Sequence, residues 1–506
     1  MPEHTHTDGG RSGKAQGGQV ANSIYWHDYE TFGVDPRRDR AAQFAGVRTD
    51  EELNIIGDPL VLYCRPAPDM LPHPQSCLIT GITPALARDK GLPEAEFIRR
   101  IHDEFSQPQT CVAGYNNLRF DDELTRQLLY RNFYDPYERE YRNGNSRWDI
   151  IDMVRLCAAL RPEGIEWPRR EDGNRSFRLE DLCAANGISH DSAHDALSDV
   201  LATIALAKLI RERQPKLYEY VFHLRAKAEV EAKLDIVRRT PVIHVSSMYP
   251  GTQGCMALVA PLTRHPIDRN GVLVYDLRQN PEEWMALSAE DIRRRLFTRR
   301  EELQEGESRI GLKVLHSNRC PVVAPASLLT PELAAQWDID MAQARRHWQL
   351  LVDSPQVIAT VASAFDDENR TGPGESDPDF MIYGGGFFGA NDKKTMAQIR
   401  ASQPRDLIAW LPGFADPRLE EMLFRYRARN YPETLNQAEQ ERWEAYRHEA
   451  LHRAEGVRGA GVGLAEFERE LAQLREQTLS ANQLQILDEL AQYVRSLVAQ
   501  RVQELS

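Results

Sequence analysis

Near the start of the chain an apolar run, Ile24-Tyr25-Trp26, passes straight into His27-Asp28-Tyr29-Glu30. The run reads as a buried β-strand, and no other feature constrains the fold as tightly. Side chains two positions apart on a strand share a face, so Asp28 and Glu30 stand side by side. Two carboxylates so placed repel, and keeping both charged is costly unless something positive lies between them. A lone D-x-E is more often a solvated pair of acids after a strand. Its meaning depends on partners elsewhere in the chain.

The length of 506 residues is a soft prior for about three domains. No apolar run approaches the roughly 20 residues that span a bilayer, so no membrane partner is expected. Residues 1–21 are polar and Gly-rich and lack the apolar centre of a signal peptide, which predicts a disordered tail and a cytoplasmic protein. The 7 cysteines are odd in number and show no C-x-x-C spacing, which argues against a disulfide framework or a zinc site. A formal net charge of -14 excludes a uniformly basic nucleic-acid binder. It does not exclude a local groove that holds phosphates through arginines and bound cations.

Three textures divide the chain. From about Asn22 to Gln214 strands and helices alternate, with strands predicted at Gln43 to Asp50, Pro59 to Pro66 and Thr110 to Asn117. The short polar links predict antiparallel hairpins for the first three strands, and the later alternation predicts an α/β domain. After a helical connector, short apolar runs separated by turn residues predict a small antiparallel sheet or barrel between about Thr240 and Ala326. A polar, Gly/Pro-rich stretch at 366–379 reads as a linker, and beyond it apolar spacing near 3.6 predicts a helical bundle.

Three segments of the first domain carry acids or histidine. Beside Asp28 and Glu30, "LRFDDEL" puts Asp121 or Asp122 at a strand-to-helix transition, and "HDSAHDALSDV" holds His194 five residues before Asp199. Five residues turn a helix by about 140° from the starting direction. His194 therefore belongs on the loop before the helix and Asp199 on its second turn. Clustered carboxylate oxygens suit Mg²⁺ or Mn²⁺. Four carboxylates suit two such ions roughly 4 Å apart, the spacing used in phosphoryl displacement.

In this order, "HDYETFG", "YNNLRFDDEL" and "SAHDALSDV" resemble the DEDDh exonuclease superfamily. "LITGITP", "FRLEDLCAANGI", "NSRWDIIDMVRLCAALRPEGIEWP" and "FRYRARNYPETL" resemble bacterial exonuclease I within it. The resemblance implies an RNase H-like (DnaQ-like) α/β exonuclease domain with a mixed sheet at 22–214. It further implies an SH3-like β-barrel domain with flanking helices at 215–365 and an all-α domain at 380–506. It implies 3′-to-5′ hydrolysis of single-stranded DNA, processive, with two Mg²⁺ that Mn²⁺ can replace, by a monomer. Asp28 would bridge both ions, Glu30 and Asp199 would complete the first site, and Asp121, which directly follows Phe120, would help hold the second. His194 would be the general base, and Glu30 and Thr31 would face the terminal nucleotide. Arg161 and Tyr220 would form a pocket for the acidic C-terminal tail of single-stranded DNA-binding protein.

Several features receive plainer readings. Asp122 reads as a solvated helix-start acid, Asp149 and His27 as structural, Tyr383 to Lys394 as a loop, and Arg293 to Glu302 as a solvated helix face or a DNA path. Trp148 is either core or a nucleotide platform. The motif chemistry also leaves open an exoribonuclease of the same superfamily. A non-catalytic single-strand-binding or recruitment protein is the third reading, and it predicts a degenerate site where all five positions here are filled.

Overall fold

The structure is a computed structural model that describes residues 22–190, 195–366, 375–410 and 413–499. The tail expected at 1–21 lies outside the described residues. Five strands, β1 (Ser23–Thr31), β2 (Ala41–Thr49), β3 (Ile55–Tyr63), β4 (Thr110–Gly114) and β5 (Ser146–Asp149), form one sheet in the order β3-β2-β1-β4-β5. β1, β2 and β3 pair antiparallel, as the short links predict, whereas β4 runs parallel to both β1 and β5. Parallel neighbours need crossover connections, and the helices Glu94–Phe105 and Asp121–Arg131 lie in them.

β1 is central, so both of its faces are covered. Tyr25, His27 and Tyr29 pack with Phe44, Phe97 and Phe105 on one side. The other face begins with Ile24 and Trp26, buried in one core with Val200 and Ile204 of the helix Ala196–Arg213, and continues as Asp28 and Glu30. The same period-2 alternation thus turns a hydrophobic face into an acidic one within a single strand.

β3 starts earlier than the predicted Pro59. It is a sheet edge, so Ile55 and Ile56 remain exposed and the apolar pattern that marks a buried strand is missing. Gly57, at φ +73°, and Pro59 fall where the register slips opposite Val47. An edge bulge is a place where a missing N–H is tolerated.

The second sheet is antiparallel: β6 (Val242–Val245), β7 (Met256–Arg264), β8 (Gly271–Asp276), β9 (Leu312–His316) and β10 (Val322–Pro325), in the order β10-β6-β7-β8-β9. One of its faces joins the core of the first domain, and the other packs with Leu224, Val230 and Leu234 as a core of its own. Trp148 packs edge-on against Tyr218 and Phe222 of the connecting helix Pro215–His223, so it is core and not a nucleotide platform. Trp337 Nε1 donates to the Ala159 carbonyl at 3.0 Å across the same junction. Of the Arg293–Glu302 stretch, Arg299 to Glu302 are exposed, as the solvated-face reading expects, while the three arginines at its start are held by neighbours. Arg293 and Arg295 donate to the carbonyls of Ser363, Ala364 and Ser308, and Arg294 pairs with Glu307, closing the helix Ala289–Phe297 onto its neighbours.

The C-terminal part is helical, from Ala390–Ala401 to Ala481–Ala499. Arg425 and Arg429 of the helix Arg418–Asn430 reach Asp377, Asp379 and the first domain's Asp69 at 2.6 to 3.1 Å. Burial alone would raise the Asp379 carboxyl, but the two arginines outweigh it and hold it well below the usual range. The end of the 366–379 stretch is thus anchored between domains.

Asp122 corrects the solvated reading. It is fully buried, with Oδ1 accepting from Arg139 Nη2 at 2.7 Å and Oδ2 from Arg147 Nη1 at 2.9 Å. Both arginines arrive from the irregular segment before β5 and from β5 itself, so no local spacing marks the pair. Removing one member of a buried ion cluster leaves uncompensated charge and costs about 3–5 kcal/mol. We expect Asp122→Ala to lose about that much stability in denaturant unfolding; a loss under 1 kcal/mol would contradict the pairing.

Candidate active site

Three elements converge on the acidic face of β1. Opposite Glu30 on β2 stands Gln43. Its side chain donates to Asp195 Oδ1 at 3.2 Å and accepts from the Ala196 N–H at 3.3 Å. Asp195 also caps the helix Ala196–Arg213 by accepting from Ser198 N–H. Gln43 therefore ties the start of this helix to the sheet, and Asp199 in the first turn is delivered to β1. Asp28, Glu30 and Asp199 each offer an oxygen within 4.8 Å of the others.

Asp121 opens the helix Asp121–Arg131 and stands beside this trio, its Oδ1 accepting from the Tyr29 N–H at 3.2 Å. The turn that carries it is pinned by Asp149, which accepts from the N–H groups of Asn116, Leu118 and Ile151 at 2.8 to 3.3 Å. Asp149 is structural, as expected, and burial pushes its carboxyl up to about 7. His27 is also structural: it is buried, with Nδ1 on the Ala113 carbonyl at 3.1 Å. Thr31 lies buried at the bulge ending β1, its hydroxyl donating to the Gly33 carbonyl at 2.6 Å. His194 lies outside the described residues.

Burial and like charge act together on the acids. Burial, then Asp121, Glu30 and Asp199, push the Asp28 carboxyl far above its usual range. Burial, then Asp199, Asp121 and Asp195, push Glu30 up to about 9. Burial above all pushes Asp121 up to about 8. A cluster of carboxylate oxygens whose strongest neighbours are other carboxylates fits hard divalent cations.

One hollow opens beside the turn that carries Asp121, and another between the helices Ile151–Leu160 and Pro215–His223. A cleft of about 780 Å³ is walled by Leu118, Arg119 and Arg126 of the first domain, Arg319 of the second and Tyr383 of the third. Tyr383 Oη donates to Glu123 Oε2 at 2.5 Å, and Arg147 Nη2 donates to the Asn318 carbonyl at 3.0 Å, so all three domains meet at its rim. Tyr383 is thus more than a loop residue. A second pocket of about 470 Å³ brings Arg161 and Tyr220 together with Lys216, Leu160, Leu217 and Pro325. Sequence reasoning missed Gln43, the cleft arginines and His190, which bonds to Asp199. Only His190 left a signal, as a second histidine just ahead of "SAHDALSDV".

The sheet order and the acidic end of its first strand define an exonuclease domain. The exonuclease family pattern matches residues 25–207, the exonuclease I SH3-like domain matches 225–367 and the exonuclease I C-terminal domain matches 376–497. Exodeoxyribonuclease I of Escherichia coli K12 is 46% identical over 434 residues, 86% of this chain and 91% of its own length. The structure of exonuclease I from Methylocaldum szegediense is 51% identical and superposes with a TM-score of 0.90, covering 95% of this chain and all of its own. That of E. coli exonuclease I in complex with a dA16 oligonucleotide is 44% identical, also with a TM-score of 0.90, covering 94% of this chain and all of its own. The E. coli enzyme has also been solved as a zinc-bound complex with single-stranded DNA, and an exonuclease I has been solved with SSB and an inhibitor. The chain belongs to the exodeoxyribonuclease I family.

Unfolded, Glu30 and Asp121 shed their protons near pH 4; folded without cations they keep them to about 9 and 8. Between those limits the native chain binds more protons, so stability of the cation-free protein falls as pH rises from about 4 to 9. Cations compete with these protons. We expect a divalent cation to raise the melting temperature more at about pH 8.5 than at about pH 6. An equal rise at both would contradict the protonated cluster.

Proposed function

We propose that the chain hydrolyses single-stranded DNA from its 3′ end and releases nucleoside 5′-monophosphates, acting processively as a cytoplasmic monomer. The observation that carries this reading is the Asp28–Glu30–Asp199 cluster with Asp121 beside it, next to a cleft rimmed by three domains. Arginines that track phosphates and tyrosines that stack on bases accept any base sequence, and the cleft supplies Arg119, Arg126, Arg319, Tyr137 and Tyr383. The two domains after the nuclease domain belong to the exodeoxyribonuclease I architecture and favour DNA over RNA.

Asp28, Glu30, Asp121 and Asp199 are the residues we assign to hold two divalent cations, Mg²⁺ with Mn²⁺ able to substitute. Bound there, such cations offset the crowded negative charge and stabilise the charge that develops on the phosphate in the transition state. Water attacks the terminal phosphorus and the bond to the 3′ oxygen breaks. The shortened strand keeps a 3′-hydroxyl, and the released nucleoside carries the phosphate on its 5′ oxygen. We assign His194 to accept the water's proton on a ring nitrogen, a role suited to an imidazole of ordinary pKa. Glu30 and the Thr31 backbone are our candidates for the 3′-terminal nucleotide. Packing of Tyr29 and His27 into the core holds the β1 backbone that presents these groups.

The pocket at Arg161 and Tyr220 suits the acidic tail of single-stranded DNA-binding protein. Arg161 and Lys216 offer charge to carboxylates, and Leu160, Leu217 and Pro325 offer apolar surface. A guanidinium fork matches a terminal carboxylate.

Digestion of matched 5′-labelled DNA and RNA oligomers, with and without EDTA, tests the main reading. We expect a ladder shortening from the 3′ end, faster on DNA and abolished by EDTA. Faster RNA trimming would defeat the DNA assignment. We also expect Asp199→Ala to lower turnover by about 10²–10³-fold, of the order seen when transition-state charge stabilisation is removed, while leaving strand binding intact. For the docking pocket, Arg161→Ala should weaken a tail peptide by about tenfold or more, the loss of a hydrogen bond to a charged group, and spare hydrolysis of naked strands. Unchanged peptide affinity would remove Arg161 from the pocket.

A further inference from the structure

The first histidine of the "GISHDSAHD" segment, His190, sits against the acidic cluster. His190 Nε2 is hydrogen-bonded to Oδ1 of Asp199, and its imidazole is only 8% exposed. The local backbone explains how it gets there. The helix Leu179–Ala185 ends at Asn186, and Gly187 follows at φ +66°, a conformation that glycine alone adopts at little cost. The Ile188 N–H then returns to the Cys183 carbonyl at 3.0 Å, so the chain reverses over the helix end. Three residues past the turn's start, His190 meets the first turn of the helix Ala196–Arg213, which Gln43 has fixed to the sheet. The contact therefore joins two independently anchored pieces of backbone.

We propose that His190 is a positioning residue of the cation site: hydrogen bonding from its Nε2–H fixes the orientation of the Asp199 carboxylate within the cluster formed with Asp28 and Glu30. The proposal rests on the reading of that cluster as a divalent-cation site. A ligating carboxylate is itself oriented by an outer hydrogen bond, and loss of such a partner typically lowers metal affinity 10–100-fold. The first-turn side chain of an unheld aspartate has rotamers that turn it from the cluster, and a buried donor on one oxygen removes that freedom. His190 touches neither the strand nor the attacking water in this role, which separates it from the proton acceptor assigned at His194.

Two substitutions of similar bulk isolate the donated hydrogen bond. His190→Gln keeps an N–H donor, and His190→Met removes it. Binding of Mn²⁺ alone to the full chain, followed by electron paramagnetic resonance of the unbound ion, reads the effect without turnover. We expect His190→Met to weaken Mn²⁺ binding about 10–100-fold and His190→Gln to stay within about threefold of the parent. Parental affinity in His190→Met would overturn the proposal, and so would equal weakening in both variants, which would mark a packing effect. Asp199→Ala in the same titration separates the two levels. If Asp199→Ala loses Mn²⁺ while His190→Met keeps it, the positioning role alone fails. If Asp199→Ala binds as the parent does, the cluster is not the cation site and the proposal falls with it.

Discussion

Everything at the centre of this molecule depends on holding negative charges together where they repel. Asp28 and Glu30 share one face of a central strand, and Asp199 and Asp121 are brought to the same place by two helices. Burial above all raises Asp28, Glu30 and Asp121 above ordinary carboxylic acids, and repulsion within the cluster adds to it at Asp28 and Glu30. The surrounding fold opposes that repulsion by rigid attachment. Gln43 fastens one helix to the sheet, Asp149 pins the turn before the other, and the aromatic layer beneath β1 leaves the strand no room to shift. The cost of the cluster is borne by packing elsewhere, as is common for strained functional sites.

The net charge of the chain and the character of its cleft are separate matters. A protein of formal charge -14 still lines one cleft with Arg119, Arg126 and Arg319. Acids stand among them and fix some of the arginines in place: Arg126 pairs with Glu140, and Glu140 with Arg147, which also clamps Asp122. The same network reaches the second domain through the Asn318 carbonyl. The third domain is held by a separate buried set, Asp69 and Asp379 with Arg425 and Arg429. Buried arginine–carboxylate pairs thus recur at the cleft and at the third domain's interface; such a pair is worth little on a surface and is expensive to break inside.

How much was legible in the sequence follows from the range of each interaction. Strand periodicity put Asp28 and Glu30 on one face, and local spacing put Asp199 near a helix start, though in its first turn rather than the second. Position alone left Asp121 and Asp122 open, and the family resemblance chose between them. The three domains were legible through changes of texture, since hydrophobic period is also local. Asp122 was misread because its partners, Arg139 and Arg147, lie in a turn region and on another strand. The edge strand β3 was shifted because exposure on both sides removes the alternation that marks a strand. The arginines of the helix Ala289–Phe297 looked like a solvated face because a carbonyl acceptor leaves no trace in sequence. His190 and Gln43 act through contacts that only the closed fold creates.

The central claim is that the crowded acids of β1 are a seat for divalent cations. Anomalous scattering from a crystal of this protein soaked in Mn²⁺ tests it directly, because it locates the ion without relying on turnover. The account predicts a peak within bonding distance of Asp28, Glu30 and Asp199, and a second on the Asp28 and Asp121 side. Density absent from this cluster at saturating Mn²⁺, or present only on surface acids, would contradict it.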